Sequence, residues 1–422
     1  MSTRTTPVAA ARSRIAVTAA YAAQGLGYAV VVTSLPVFKQ LQGIDDVAVS
    51  LIVLLVCVTA ACGSVIADLL AKWRGSRIAL VVGLGLEVAA LLLIVLTVLV
   101  PGLGLAVFVV AFGIYGLGLG GVDASGAMQG VLVQRRYGRD IMGGYFAAYT
   151  AAAIVGALAV AGAAAAGVAV ILPLSLASIT TVVVGVFGLG AFDTARAATP
   201  VGGRASSPLP RRGIWLFGFV ILAAFTVDSA VSTWSTVYLQ DDLLTAAALA
   251  PLGYAAYQAA ILVTRLLTDR ASGSFGRARV VIGATVTSLF GCVVVALLPF
   301  PAAAIVGFAL AGVAVGALVP LAFTSAGGLA PARSDEIIAR VNLFNYAGAV
   351  LGAVLLGLLA DAPGLGIAFL LPAALLVPVL FIARRFRAPV AVPVDSAPDA
   401  ATGDRDAATG ERDAATPPIA NL

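Results

Sequence analysis

Apolar runs of about 20 residues or more, nearly free of charge, alternate along this chain with short segments rich in Arg, Pro and Gly. Twelve runs can be marked, at 15–37, 48–71, 78–100, 104–133, 141–165, 168–191, 214–239, 247–268, 279–299, 302–328, 339–360 and 364–383. They are too long for strands. Within a bilayer a helix satisfies its own backbone hydrogen bonds, so each run is predicted to be a transmembrane helix. The polar segments divide the chain into a head over 1–14, six spans over 15–191, a loop over 192–213, six more spans over 214–384 and a tail over 385–422. Repeated AATG and DAAT units make the tail read as disordered. The first run is too long for a secretory signal core and has no small-residue cleavage site, so it is predicted to remain as a span.

The basic residues predict orientation. Of 25 Lys and Arg, 24 fall on one side, in the head, the even-numbered loops, the tail or the span ends that adjoin them, and Lys39 alone lies in an odd-numbered loop. Basic residues gather in cytoplasmic loops, so both termini are predicted to be cytoplasmic, in a bacterial-type plasma membrane. The acidic pairs Asp45/Asp46 and Asp241/Asp242 then face outward. Sliding one half over the other by 201 residues superposes Ser34 on Ser235, Asp68 on Asp269, Gly75 on Gly276, Arg139 on Arg340, Tyr145 on Tyr346 and Gly156 on Gly357. That periodicity predicts two parallel six-helix repeats.

Composition agrees with this reading and removes others. The chain is 61% hydrophobic and 11% charged, whereas soluble domains carry about 25% charged residues. There is no His, and Cys57, Cys62 and Cys292 all lie in apolar runs, so no metal site, disulfide framework or cofactor is predicted. The net charge of +5 is spread over short loops and does not form a nucleic-acid surface. Gly116 and Gly120 on the fourth run have GxxxG spacing with no Lys-Ser/Thr after them, which predicts close helix packing and not a phosphate loop. Without a nucleotide motif, transport energy is expected from an ion gradient or from the solute's own.

Six spans, a long basic loop and six spans resemble the major facilitator superfamily of secondary transporters. The residues that carry the resemblance lie in two matching loops. One runs from Asp68 through Lys72, Trp73, Arg74, Gly75 and Ser76 to Arg77; the other runs from Asp269 and Arg270 through Gly273, Phe275 and Gly276 to Arg277 and Arg279. Both copies are degenerate, with Lys72 and Gly273 where the family pattern has Asp. A closer resemblance is to a bacterial subgroup near the fucose-symporter branch. It rests on Gly120, Gly121, Asp123, Ala127, Gln129, Gly130, Gln134 to Arg136 and Arg139, and on Asp228, Thr233, Trp234, Ser235, Tyr238 and Asp241. Relative to that subgroup, Ala127 replaces Asn, Gln134 replaces Glu, Asp228 replaces Glu and Thr233 replaces Asp.

The resemblance implies an all-α protein of twelve transmembrane helices in two pseudo-symmetric bundles. It also implies a monomer in lipid that is not an enzyme and moves a small organic solute by alternating access, coupled to protons as in that branch. Two other readings stay open: an exporter of amphiphilic compounds and a membrane sensor with a transporter fold. Against an antiporter, no Pro lies between Met142 and Leu172 on the fifth span.

Three acids, Glu87, Asp123 and Asp228, lie within spans, where a charge costs about 2.5–3.5 kcal/mol and so points to a cavity or a partner. All three are proton-coupling candidates. Asp228, near the middle of span seven, is the foremost; the alternative is a neutral buried acid bonded to a neighbouring helix. Asp123 either titrates or pairs with a gate arginine, and Glu87, on a supporting span, is expected to make an interhelix hydrogen bond. The family's cavity spans one, four, seven and ten supply substrate candidates: Tyr21, Gln24, Tyr28, Tyr115, Thr226, Ser232, Thr233, Trp234, Phe308 and Phe323. For each, packing is the alternative. Placing Arg265 at a helix end leaves no cation in mid-span, which favours a neutral or cationic solute over an anionic one. The resemblance makes Asp68, Lys72, Arg77, Arg139, Arg265, Asp269, Arg270, Arg277 and Arg340 candidates for a cytoplasmic gate; the alternative is that they only set topology.

Overall fold

The computed structural model describes residues 7–137, 141–194, 209–330 and 333–386, and among these the chain is helical with no strand. In the first half, α1 (Pro7–Thr33) begins inside the segment read as polar head. Ser34 separates it from a short α2 (Leu35–Gln42), which is followed by α3 (Asp46–Arg74), α4 (Ser76–Leu99), α5 (Gly104–Tyr137), α6 (Met142–Ala165) and α7 (Ile171–Ala191). The second half holds α8 (Arg211–Val237), which runs on as a π-helical turn to Asp242, then α9 (Pro251–Phe275), α10 (Arg277–Leu297) and α11 (Pro301–Gly327). α12 (Ser334–Val350) continues through a π-helical turn, Leu351–Leu355, into α13 (Leu356–Leu358); α14 (Leu365–Ala368) and α15 (Leu370–Ile382) follow. The predicted gate residue Arg139, the middle of the central loop and the tail beyond Phe386 lie outside the described residues.

Eleven of these segments are long and apolar enough to cross a membrane. The remaining long helix, α9, has a comparable length but contains Arg265, Asp269 and Arg270. The sequence reading ended this span at 268, because charge in an apolar run looks like a loop. The helix instead continues to Phe275.

Glycine lets α5 press against two neighbours. A Cβ on Gly120 would fall on the Ala60 carbonyl oxygen of α3, and one on Gly116 would meet the Val56 carbonyl oxygen at 2.6 Å. On the other face, a Cβ on Gly118 would lie 2.7 Å from the Glu87 amide nitrogen of α4. The second half repeats the device: Cβ atoms on Gly312 and Gly316 of α11 would lie 2.6 and 2.9 Å from the Tyr257 and Ile261 carbonyl oxygens of α9. Small residues at helix contacts let backbones approach where lipid supplies little hydrophobic drive.

The two repeats also share a turn. Gly75 joins α3 to α4 at φ 95°, and Gly276 joins α9 to α10 at φ 84°; each amide nitrogen donates to the carbonyl four residues back, Ala71 and Ser272. Positive φ costs a side-chain-bearing residue conformational strain, which accounts for glycine at both superposed positions.

Candidate functional site

The halves meet along three seams: α1 with α8, α6 with α9, and α3 with α12 and α13. At the acidic face the closure is tight. Lys39 Nζ lies 2.5 Å from Asp46 and donates to Asp241 Oδ2 at 2.7 Å, joining the first half to the second. Beneath it, a Cβ on Gly357 of α13 would collide with both Ser50 of α3 and the Trp234 ring of α8. Burial opposes the Lys39 charge, but hydrogen bonds to Asp241 and Asp46 outweigh it and raise the ammonium above its ordinary range. Its contribution is therefore fully present below the unfolded lysine value of about 10.4 and is lost only as pH rises through the raised folded value.

Among the described residues, the ion pairs at the basic face stay within one half. Lys72 pairs with Asp68 one turn away on α3, Arg136 of α5 with Asp193, and Arg333 and Arg340 with Glu336. Asp269 and Arg270 are exposed. Arg77 Nε is buried with no hydrogen-bond partner among the described residues, and Arg277 is the first residue of α10. Among the described residues, none of Asp68, Lys72, Arg77, Asp269, Arg270, Arg277 and Arg340 links the halves through an ion pair in this conformation, which is closed at the acidic face; Arg265 is the gate candidate that does reach across, by a hydrogen bond. Replacing Lys39 with Gln should loosen that face. The cost lies between that of exposed and buried pairs, about 1–2 kcal/mol, or roughly 5–30-fold in the conformational equilibrium. Maleimide labelling of a Ser50→Cys reporter should rise accordingly; unchanged labelling would show that Lys39 does not hold the face shut.

Asp228 occupies the middle of its helix, 17 residues after Arg211 and 14 before Asp242. The Tyr257 hydroxyl donates to its Oδ1 at 2.7 Å. Phenols from both halves gather around it: Tyr28 of α1, Tyr149 of α6 and Tyr254 of α9 all lie within electrostatic reach of the carboxylate. Ser232, one turn on, faces Tyr28 and Tyr254, and Gln258 Nε2 donates to the Tyr254 hydroxyl at 2.5 Å. Tyr115 is buried within reach of Tyr28 and Tyr254.

In the first half, Gln24 Nε2 donates to Asp123 Oδ1 at 2.8 Å, and among the described residues no arginine pairs with Asp123. Asp123 is exposed in spite of its depth in α5, which fits a space open toward the basic face. Tyr21 stacks on Tyr145 at 5.6 Å between ring centres. Glu87 is buried beside Gly118, but its Oε1 has no hydrogen-bond partner among the described residues. The expected interhelix bond is not seen at that atom.

Other predicted cavity residues belong to packing. Trp234 Nε1 donates to the Ala353 carbonyl at 2.8 Å, so the indole ties α8 to the α12 extension. Thr226 donates to Leu222 in its own helix, and its carbonyl faces Gly352. Phe308 is fully buried against Tyr238 and Phe369. Phe323 packs partly buried on the same core, and Thr233 is buried.

Arg265 requires the largest correction. It lies 14 residues after Pro251 and 10 before Phe275, near the middle of α9 and not at its end. Its Nη1 donates to Thr150 Oγ1 of α6 at 2.9 Å across the seam, and its guanidinium sits 5.9 Å from the Phe146 ring centre. Asp228, Tyr257 and Tyr149 are within its electrostatic reach. A mid-span cation is therefore present, and the argument against an anionic solute loses its premise. Sequence reasoning missed Tyr149, Tyr254, Tyr257 and Gln258 because it took the cavity helices from the family pattern. The available signal was the series 254, 257/258, 261, 265, which marks one face of a helix.

Comparison with known proteins supports a transporter. A model of the Major Facilitator Superfamily matches residues 214–419. An uncharacterised MFS-type transporter of Yersinia pestis is 28% identical over 85% of this chain and 92% of its own length. The uncharacterised transporter y4wD of Sinorhizobium fredii is 30% identical over 67% of this chain and 76% of its own. Among solved structures, the fucose:proton symporter FucP of E. coli superposes with a TM-score of 0.61 at 13% identity, covering 89% of this chain and 98% of that one. With its helical architecture, multiple membrane spans and these relatives, the chain belongs to the major facilitator superfamily of transporters.

Proposed function

We propose that this protein is a proton-coupled secondary transporter that moves a small organic solute across a bacterial plasma membrane by alternating access. Asp228 is the proton-binding group. The observation that carries this reading is a carboxylate at the centre of α8, bonded to a neutral phenol and without an ion pair among the described residues, where polar groups of both halves converge. Such a group can change charge without dismantling its helix packing. The similarity to a fucose:proton symporter supports proton coupling without assigning that sugar to this chain. With the basic face cytoplasmic, the present conformation faces inward, and rocking of the halves would expose Asp228 to the other side.

Purified protein in liposomes, given an imposed pH gradient, should accumulate its solute, and collapse of the gradient should stop accumulation. Equal uptake with and without the gradient would remove proton coupling from the reading.

A further inference from the structure

Resting on the reading that this site carries a solute, we propose that Arg265 receives the carboxylate of that solute and that the transported class is small hydroxylated organic acids. A cation in mid-span costs about 2.5–3.5 kcal/mol to insert, and such residues mark substrate or ion pathways unless another group neutralises them. The chain shows what neutralisation looks like: Arg136 meets Asp193 at 2.6 Å, and that carboxylate is 1% exposed. Arg265 has no ion pair of this kind among the described residues. Its hydrogen bond goes to a neutral hydroxyl through Nη1, and among the described residues its other donors have no hydrogen-bond partner.

A guanidinium with spare parallel donors matches a carboxylate in a bidentate geometry that ammonium cannot copy. The internal carboxylate nearest in charge, Asp228, is bonded by the Tyr257 hydroxyl on the same helix as Arg265, and does not contact the guanidinium. The surrounding hydroxyl and amide groups, on Tyr28, Tyr149, Tyr254, Ser232 and Gln258, can exchange hydrogen bonds with a hydroxylated body.

This placement also couples solute to proton. Among the described residues, the charged and titratable groups facing Asp228 are Tyr254, Tyr257 and Arg265 from α9, Tyr28 from α1 and Tyr149 from α6. Of these only Arg265 is a cation. A carboxylate bound to it screens that cation and adds a negative charge beside Asp228, which favours the protonated acid. Acid anion and proton then enter as a pair that leaves the net charge of the site unchanged.

The test uses purified full-length protein and three pairs of probes, D-galacturonate with D-galactose, D-gluconate with D-glucose and glycerate with glycerol. Binding is read by thermal shift and uptake in liposomes with an imposed pH gradient. At least one acid should bind tenfold or more tighter than its neutral parent. Arg265→Gln should abolish that preference, and Arg265→Lys should keep it in weakened form, both at a thermal midpoint near wild type. If Arg265→Gln unfolds, the Lys variant decides, since undiminished acid preference there would overturn a bidentate role. Gradient-driven uptake of neutral members alone, or failure of every acid to bind, would overturn the carboxylate assignment. Acid binding that depends on Arg265 with no gradient-driven uptake would uphold the assignment and overturn the coupled-transport reading instead.

Discussion

Asp228→Asn is expected to lower solute accumulation from as much as about tenfold per unit of imposed pH gradient to about unity, because a proton crossing one pH unit supplies about 1.4 kcal/mol and each decade of solute gradient requires about the same. The substitution preserves shape and can still accept from the Tyr257 hydroxyl, so folding should be unaffected. What disappears is the change of charge. Exchange of labelled for unlabelled solute across liposomes with no gradient should persist within a few-fold, since it needs binding and rocking but no net proton movement. Accumulation and exchange measured on one preparation therefore separate coupling from carriage. An Asn variant that still concentrates solute under a pH gradient would exclude Asp228 as the coupling group. Asp123, exposed and bonded to Gln24, would then be the next carboxylate to test.

The second large effect is structural. Gly120→Val should destabilise the first half by about 3 kcal/mol or more, at or beyond the upper end of ordinary overpacking. The new Cβ would fall on the Ala60 carbonyl oxygen, part of a helix backbone that cannot rotate away as a side chain can. To relieve the clash α5 must leave α3, and that opens the contact at Gly116 as well. The expected result is a sharp loss of monodisperse protein and a lower unfolding midpoint in detergent. Gly85→Ala on α4 is the matched control, because nothing lies within 4 Å of a Cβ there. Its midpoint should equal or exceed wild type. Equal behaviour of the two variants would show that the α3–α5 contact contributes little.

Most of the helical layout was legible because lipid imposes a simple rule: long apolar runs must be helices. The rule weakens where a helix keeps its own charges. Asp269 and Arg270 made α9 look shorter than it is, and that error placed a mid-helix arginine, Arg265, at a helix end. The first run takes in only the start of short α2, Leu35 to Val37, because these apolar residues read as a continuation of α1. Asp228 could be found from its isolation in an apolar run. Its partner Tyr257 could not, because a tyrosine 29 positions away looks like any interfacial aromatic until α8 and α9 are set side by side. Trp234 shows the opposite limit. An aromatic with a polar tip on a cavity helix suggests a ligand contact, but an available carbonyl on a neighbouring helix, Ala353, satisfied it first.

The Lys39 bridge sets an energy scale for the transport cycle. Opening the acidic face must break its cross-half link to Asp241, at roughly 1–2 kcal/mol. One proton descending a gradient of two pH units delivers about 2.7 kcal/mol. On the proposed reading, the latch is thus weaker than a single stroke of its own fuel. It is strong enough to bias the resting population, and it can be undone and remade on every turnover without a second ion.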